Sequence, residues 1–349
     1  MSATMPAAVY TLHGIQLESR PVPMIQEPRD AIVRVTRSTI CTSDLHILHG
    51  AVPQAKPGVI LGHEFVGEVV EAGPAIRNLK PGDRVTANCE TFCGECWFCR
   101  RGYINNCEKG GWMLGCRIDG CHSAYVRVPF ADTGLTPIPS GVSDEDALFV
   151  GDILSSGYFG AELADIHPGD TVAVIGAGPV GLCAAQCARL LGAKQIILMD
   201  LDDFRLQVAR ENGLADILLN PIKHDIESEV RRHTQGRGAD GVIEAAGGKD
   251  TFETAWKIAR PNASVALIAM YEKAQIFPLP DMYGKNLTFR TGGVDACHCG
   301  ELLEHIAAGR LRTDFLITHR GTLKEILTGY QVFGQRQDHC LKWVIVNDK

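Results

Sequence analysis

The sequence predicts an α/β protein of two domains, a β-rich irregular part followed by a doubly wound parallel sheet. Three observations carry this. The chain has 349 residues, enough for about two domains. Beyond about residue 170, short apolar runs alternate with helical patterns. A glycine-rich turn stands at the first strand-to-helix junction of that stretch. Hydrophobic residues make up 45% and charged residues 21%, so both parts can fill a core.

In the first part, residues 30 to 150, the β-type runs are Ala31–Val35, Phe65–Val70 and Ala124–Val128. Turn signals such as Pro81-Gly82-Asp83 separate them. In the second, six apolar runs read as strands: Thr171–Ile175, Ile196–Asp200, Ile217–Asn220, Gly241–Ala245, Ser264–Ala269 and Leu287–Thr291. Helical segments lie between them, among them Pro179–Leu191, Asp203–Asn212 and Thr251–Ala259. Strands alternating with helices require right-handed crossovers and hence a parallel sheet. The tail carries helical Gly300–Ala308 and Leu323–Phe333, then an apolar strand, Leu341–Val346, expected to rejoin the first part.

Composition also excludes. A net charge of −7 without basic runs argues against nucleic acid or an anionic membrane as the main partner. The uncharged stretch Thr171–Ala188 is long enough to suggest a membrane span. Its Gly176, Gly178, Pro179, Gly181 and Gln186 fit a strand, a turn and a buried helix better. Met1–Gly14 lacks the basic and apolar regions of a secretion signal, so a cytoplasmic protein is expected. Thirteen cysteines, an odd number, then favour metal binding over disulfides.

The turn Gly176-Ala177-Gly178-Pro179-Val180-Gly181 fits G-x-G-x-x-G between a strand and a helix. The glycines permit the tight turn, close approach of a pyrophosphate and packing of helix on strand. The helix N-terminus offers N–H groups to phosphate. Asp200 ends the next strand, 19 positions after the third glycine, where a carboxylate accepts from ribose hydroxyls. Such pairing disfavours a 2′-phosphate, so NAD(H) is expected over NADP(H). Arg205 is the contrary residue, although arginine also packs over adenine. Asp202 and Asp203 suit helix capping.

Cys93, Cys96, Cys99 and Cys107 lie within fifteen positions on one irregular segment. Four thiolates close a tetrahedral shell around zinc and leave no place for substrate. An iron–sulfur cluster is the rival use of four cysteines. A second group comprises Cys41-Thr42-Ser43-Asp44-Leu45-His46 and Gly62-His63-Glu64. It offers the thiol, imidazole and carboxylate of an open zinc site, yet Cys41 and His63 could equally be core residues.

The order CTSDLH, GHE, the four-cysteine lobe and GAGPVG resembles the zinc-dependent medium-chain alcohol dehydrogenase family. The resemblance extends through Gly67–Gly73 and Lys80–Val85 and covers nearly the whole chain. It implies a GroES-like catalytic domain, residues 1–153 and 294–349, with a structural-zinc lobe at about 89–110. A Rossmann NAD-binding domain would span 154–293. It also implies two zinc ions per chain, NAD(H), a small alcohol or carbonyl substrate, and a homo-oligomer, dimer or tetramer. By motif, Cys41 and His63 match catalytic zinc ligands, and Glu64 matches the adjacent carboxylate that ligates in some states. Gly151–Tyr158 resembles the subgroup with aspartate as third ligand, which assigns Asp152; Cys116 and Cys121 are the alternatives. Ser43 matches the acceptor of the alcohol proton, His46 its relay to solvent, and Asp44 the carboxylate that orients His63. Trp112, Met113, Cys116 and Met270 are expected near the substrate by rough position. A small secondary alcohol is the favoured substrate; polyols, diols, threonine and formaldehyde are the alternatives within the family.

Overall fold

The computed structural model describes residues 3–347. The chain forms two compact units, one of residues up to Ser155 and from Asp295 onward, the other of Ser156–Val294.

The first unit holds a seven-stranded sheet. Ala31–Thr39 is its centre, pairing antiparallel with Phe65–Ala72, Tyr125–Val128 and Lys342–Val346. Arg84–Ala87 and Leu135–Pro137 extend one side. On the other, Ile317–Thr322 runs parallel to Lys342–Val346. The tail strand therefore enters the sheet of the first unit, some 300 positions from its partner. A hairpin of Thr4–Thr11 and Gly14–Pro21 stands apart from this sheet. The sequence reading did not include it, because Leu17 and its neighbours alternate too weakly to mark a buried face.

Two apolar clusters fill the unit. One gathers Val33, Val35, Phe65, Val69, Val85 and Val126 between the strands. The other joins Ile40, Ile47 and Leu61 to Ile326, Tyr330 and Trp343 of the tail. Burial of such side chains stabilises by about 1.5–3 kcal/mol each. The tail thus closes the core that supports Cys41 and His63.

The second unit is a six-stranded, all-parallel sheet. Its order is Ile217–Leu219, Gln195–Met199, Thr171–Ile175, Ala239–Glu244, Ala259–Leu267 and Thr288–Thr291. This is the doubly wound order, with the glycine turn on a central strand at the point where strand order reverses. Strands such as Val172–Ile175 and Ile196–Met199 are apolar on both faces because helices cover both. The stretch Thr171–Ala188 is strand, turn and helix, the last running Pro179–Leu190. Among the described residues no helix is long and apolar enough to cross a membrane. Helix Ile226–His233 escaped the sequence reading because Val230 is its one buried residue.

Candidate functional site

Cys41 caps helix Thr42–Leu48, and the cap is reciprocal. The Cys41 N–H donates to Asp44 Oδ2 at 2.9 Å, and the Asp44 N–H donates to Cys41 O at 3.1 Å. The other Asp44 oxygen, Oδ1, lies 3.5 Å from His63 Nδ1. Asp44 therefore both closes the turn and faces the imidazole. Burial opposes its ionisation, but His63, His122 and the Cys41 N–H together lower its pKa. With Nδ1 turned to Asp44, His63 presents Nε2 to Asp152 Oδ2 at 3.3 Å. Cys41 Sγ lies 3.5 Å from the same oxygen and 3.6 Å from Ser43 Oγ. The donor atoms of Cys41, His63 and Asp152 all fall within 4.8 Å of one another, and all three residues are buried. Ser43 and His46 stand three apart on the helix, hence on one face.

Asp152 reaches this cluster on a π-helical turn, Val150–Leu154. Gly151 makes that possible: a Cβ there would lie 1.7 Å from the Ala87 carbonyl oxygen. The Cys89 N–H donates to Gly151 O at 3.0 Å, tying the turn to the segment after strand Arg84–Ala87. Cys116 and Cys121 lie outside this donor group, each packed in an apolar cluster.

Glu64 turns away to a buried partner, Lys342, whose Nζ donates to Glu64 Oε2 at 2.5 Å and to Ile40 O at 3.2 Å. Burial pushes the Glu64 pKa up to about 7 despite this ammonium, while the pairing raises that of Lys342. Sequence reasoning did not single out Lys342. Its signal was there: a lone cation inside an apolar strand must have a buried anion. Trp112 sets its ring edge-on to His63, centroids 5.5 Å apart. Met113 follows it; Met270, in the other unit, is half exposed.

In the lobe, Cys93, Cys96, Cys99 and Cys107 bring their sulfurs within 4.8 Å. Gly94 and Gly102 adopt φ of +75° and +80°, which lets the backbone wrap inward. The N–H groups of Cys93 and Lys109 donate to Cys107 Sγ at 3.3 and 3.4 Å. Backbone donors from Cys99 and Glu108 pull the Cys96 pKa down to about 6, while burial pushes Cys99 up to about 12. Amide donors favour thiolates, and thiolates this close need a cation between them.

In the second unit Gly176 has φ +99°, and a Cβ on Gly181 would lie 1.8 Å from Gly176 O. Gly178 caps the helix that Pro179 and Val180 begin. Asp200 closes the turn: its Oδ2 accepts from the Ala177 N–H at 2.6 Å and its Oδ1 from the Asp202 N–H at 2.9 Å. Arg205 lies 3.9 Å from Asp200 Oδ2 and 3.8 Å from Asp202 Oδ2. Asp202 caps helix Asp203–Glu211, and Asp203 accepts from Asn220 and Lys223.

Two family models match: the alcohol dehydrogenase GroES-like domain over residues 27–140 and the zinc-binding dehydrogenase over 179–296. An alcohol dehydrogenase of Cupriavidus necator is 38% identical, over 99% of each chain. An NADP-dependent isopropanol dehydrogenase of Thermoanaerobacter brockii is 35% identical, over 84% of this chain and 85% of the relative. The solved alcohol dehydrogenase of Thermus sp. ATN1 superposes with a TM-score of 0.90 at 38% identity, covering 98% of this chain and 99% of that one. Sequence and fold agree along the whole length, and the chain belongs to the zinc-binding alcohol dehydrogenase family.

Proposed function

We propose that the protein interconverts a small secondary alcohol and its ketone, with NAD(H) as hydride carrier and two zinc ions per chain. The observation that carries this is the buried trio of Cys41, His63 and Asp152 with Ser43 beside it. Thiolate, imidazole and carboxylate suit zinc, and three donors leave one position for a substrate oxygen. The four lobe sulfurs suit a second ion and leave none.

When bound, zinc supplies a Lewis acid that lowers the pKa of the alcohol hydroxyl, and nicotinamide accepts the hydride from carbon. The protein's part is to hold and to move a proton. Ser43 accepts the hydroxyl proton, and His46, on the same helix face, passes it toward solvent. Asp44 fixes the His63 ring so that Nε2 faces the donor trio. Glu64, held by Lys342, leaves the trio at three protein donors. The turn of Gly176, Gly178, Pro179, Val180 and Gly181 receives the pyrophosphate, Asp200 the adenosine ribose, and Arg205 the adenine face. Asp200 and Asp202, both near Arg205, make the region unfavourable to a 2′-phosphate.

The test is a screen of secondary alcohols, polyols and aldehydes with NAD⁺ and NADP⁺, alongside metal analysis. Two zinc per chain and NAD⁺-dependent oxidation of secondary alcohols are expected. One zinc, iron in its place, or no turnover of any alcohol would refute the reading.

A further inference from the structure

Resting on that reading, we propose that Ser155 is a positioning residue for the substrate-facing zinc: its hydroxyl sustains the π-helical turn that aims Asp152 at Cys41 and His63. Asp152 is the middle residue of that turn, Val150–Leu154. Such turns are rare, and they occur mostly as single turns inside helices, often at functional sites. Here the Leu154 N–H donates five positions back, to Phe149 O at 2.8 Å. An α-helix would give that N–H to Val150 O instead. Val150 is fully buried, so its carbonyl needs a donor from within the protein. The Ser155 hydroxyl supplies one at 2.6 Å. A serine in an α-helix reaches a carbonyl three or four positions back. This one reaches five, so its bond suits the wide turn and not the α-helical one.

Ser155 is also joined to Asp152 itself. Its N–H donates to Asp152 O, while the Asp152 carboxylate lies 3.3 Å from His63 Nε2 and 3.5 Å from Cys41 Sγ. The surroundings hold the hydroxyl in place. Ser155 is buried, and Cys299 Sγ lies 3.8 Å from its Oγ. That thiol is also 3.9 Å from Val150 O, but its nearer acceptor is Ala296 O at 3.3 Å. Asn88 Nδ2 donates to the same Ala296 O at 3.0 Å. Asn88 belongs to the segment against which Gly151 packs. Without the Ser155 hydroxyl, Val150 O competes for the Leu154 N–H, and capture of that donor restores an α-helical turn. One residue then leaves the turn, which swings the chain before it by up to about 100°. Asp152 would no longer face the other two donors.

The test measures zinc binding to the full chain after a chelator has removed the exchangeable ion, with no substrate or turnover needed. Ser155→Ala should weaken the Kd for zinc at the trio about 10–100-fold, the usual cost of losing a group that supports a metal ligand. The lobe ion and the thermal midpoint should stay close to those of the parent. A merely structural serine would lower the midpoint and leave that Kd alone. Ser155→Thr keeps the hydroxyl and should restore parental zinc affinity. Should either variant fail to fold, Ser155→Cys, close in size to serine and a weaker donor, should weaken the same Kd with the lobe ion retained. If no folded variant that loses or weakens the hydroxyl donor loosens zinc at the trio selectively, this inference alone is overturned. A parent that holds only one zinc overturns the proposed function and this inference with it.

Discussion

The two donor clusters of the first unit are similar in burial and compactness but are assembled in opposite ways. The four lobe sulfurs come from fifteen consecutive positions. Their closeness is set by local turns at Gly94 and Gly102 and by amide donors from the same loop. Cys41, His63 and Asp152 span 111 positions and meet only because separate elements bring them together. One cluster is a property of a loop, and the other is a property of the whole unit. On our reading the first supports the fold and the second performs the reaction. Disturbing each in turn should give different signatures.

The largest effect is expected at the distant-residue cluster. Asp152→Asn removes the charge shared by His63 Nε2 and Cys41 Sγ. Activity should fall about 10²-fold or more, since even changes behind a ligand cost 10–100-fold. Metal analysis should show one zinc lost, with the lobe ion and the thermal midpoint nearly unchanged. Survival of activity, with Cys116→Ser inactive instead, would move the third donor to Cys116.

The lobe should behave in the opposite way. Cys99→Ser breaks the four-sulfur set, and we expect about 2 kcal/mol of lost stability, or roughly 5 °C in Tm. Residual activity per folded molecule should stay high. Calorimetry and zinc content read this directly, and an unchanged Tm with activity gone would reverse the assignment of the two clusters.

The smallest effect tests the second unit. Asp200→Gly removes the carboxylate that accepts from Ala177 and sits near Arg205. The ratio of kcat/KM for NAD⁺ over NADP⁺ should drop about tenfold, equivalent to about 1.4 kcal/mol. An unchanged ratio would mean that Asp200 serves the turn alone.

Much of the second unit was legible because parallel strands covered on both faces leave uninterrupted apolar runs, as in Thr171–Ile175. Strand Ala259–Leu267 begins five residues before the apolar run at Ser264, because Arg260, Pro261 and Asn262 interrupt the apolar pattern. In the first unit the hairpin Thr4–Pro21 was not legible, having no clean alternation. Around the trio, the roles drawn from motif position needed the fold to acquire neighbours. Asp44 could have been a mere turn cap, and it is a cap that also faces His63. Lys342 belonged to no motif, and its one signal was a lone cation in an apolar strand.

By itself the sequence determined what depends on near neighbours: the glycine turn between strand and helix, the four-cysteine loop and the alternation of strands with helices. Turn geometry and hydrophobic period act over a few residues and are written where they act. Only the tertiary structure decided that Lys342 lies against Glu64, and that Cys116 and Cys121, the alternatives to Asp152, pack into apolar clusters outside the donor trio. Those outcomes depend on which distant side chains share a desolvated space. There a charge must find its counter-charge, and a polar atom its partner.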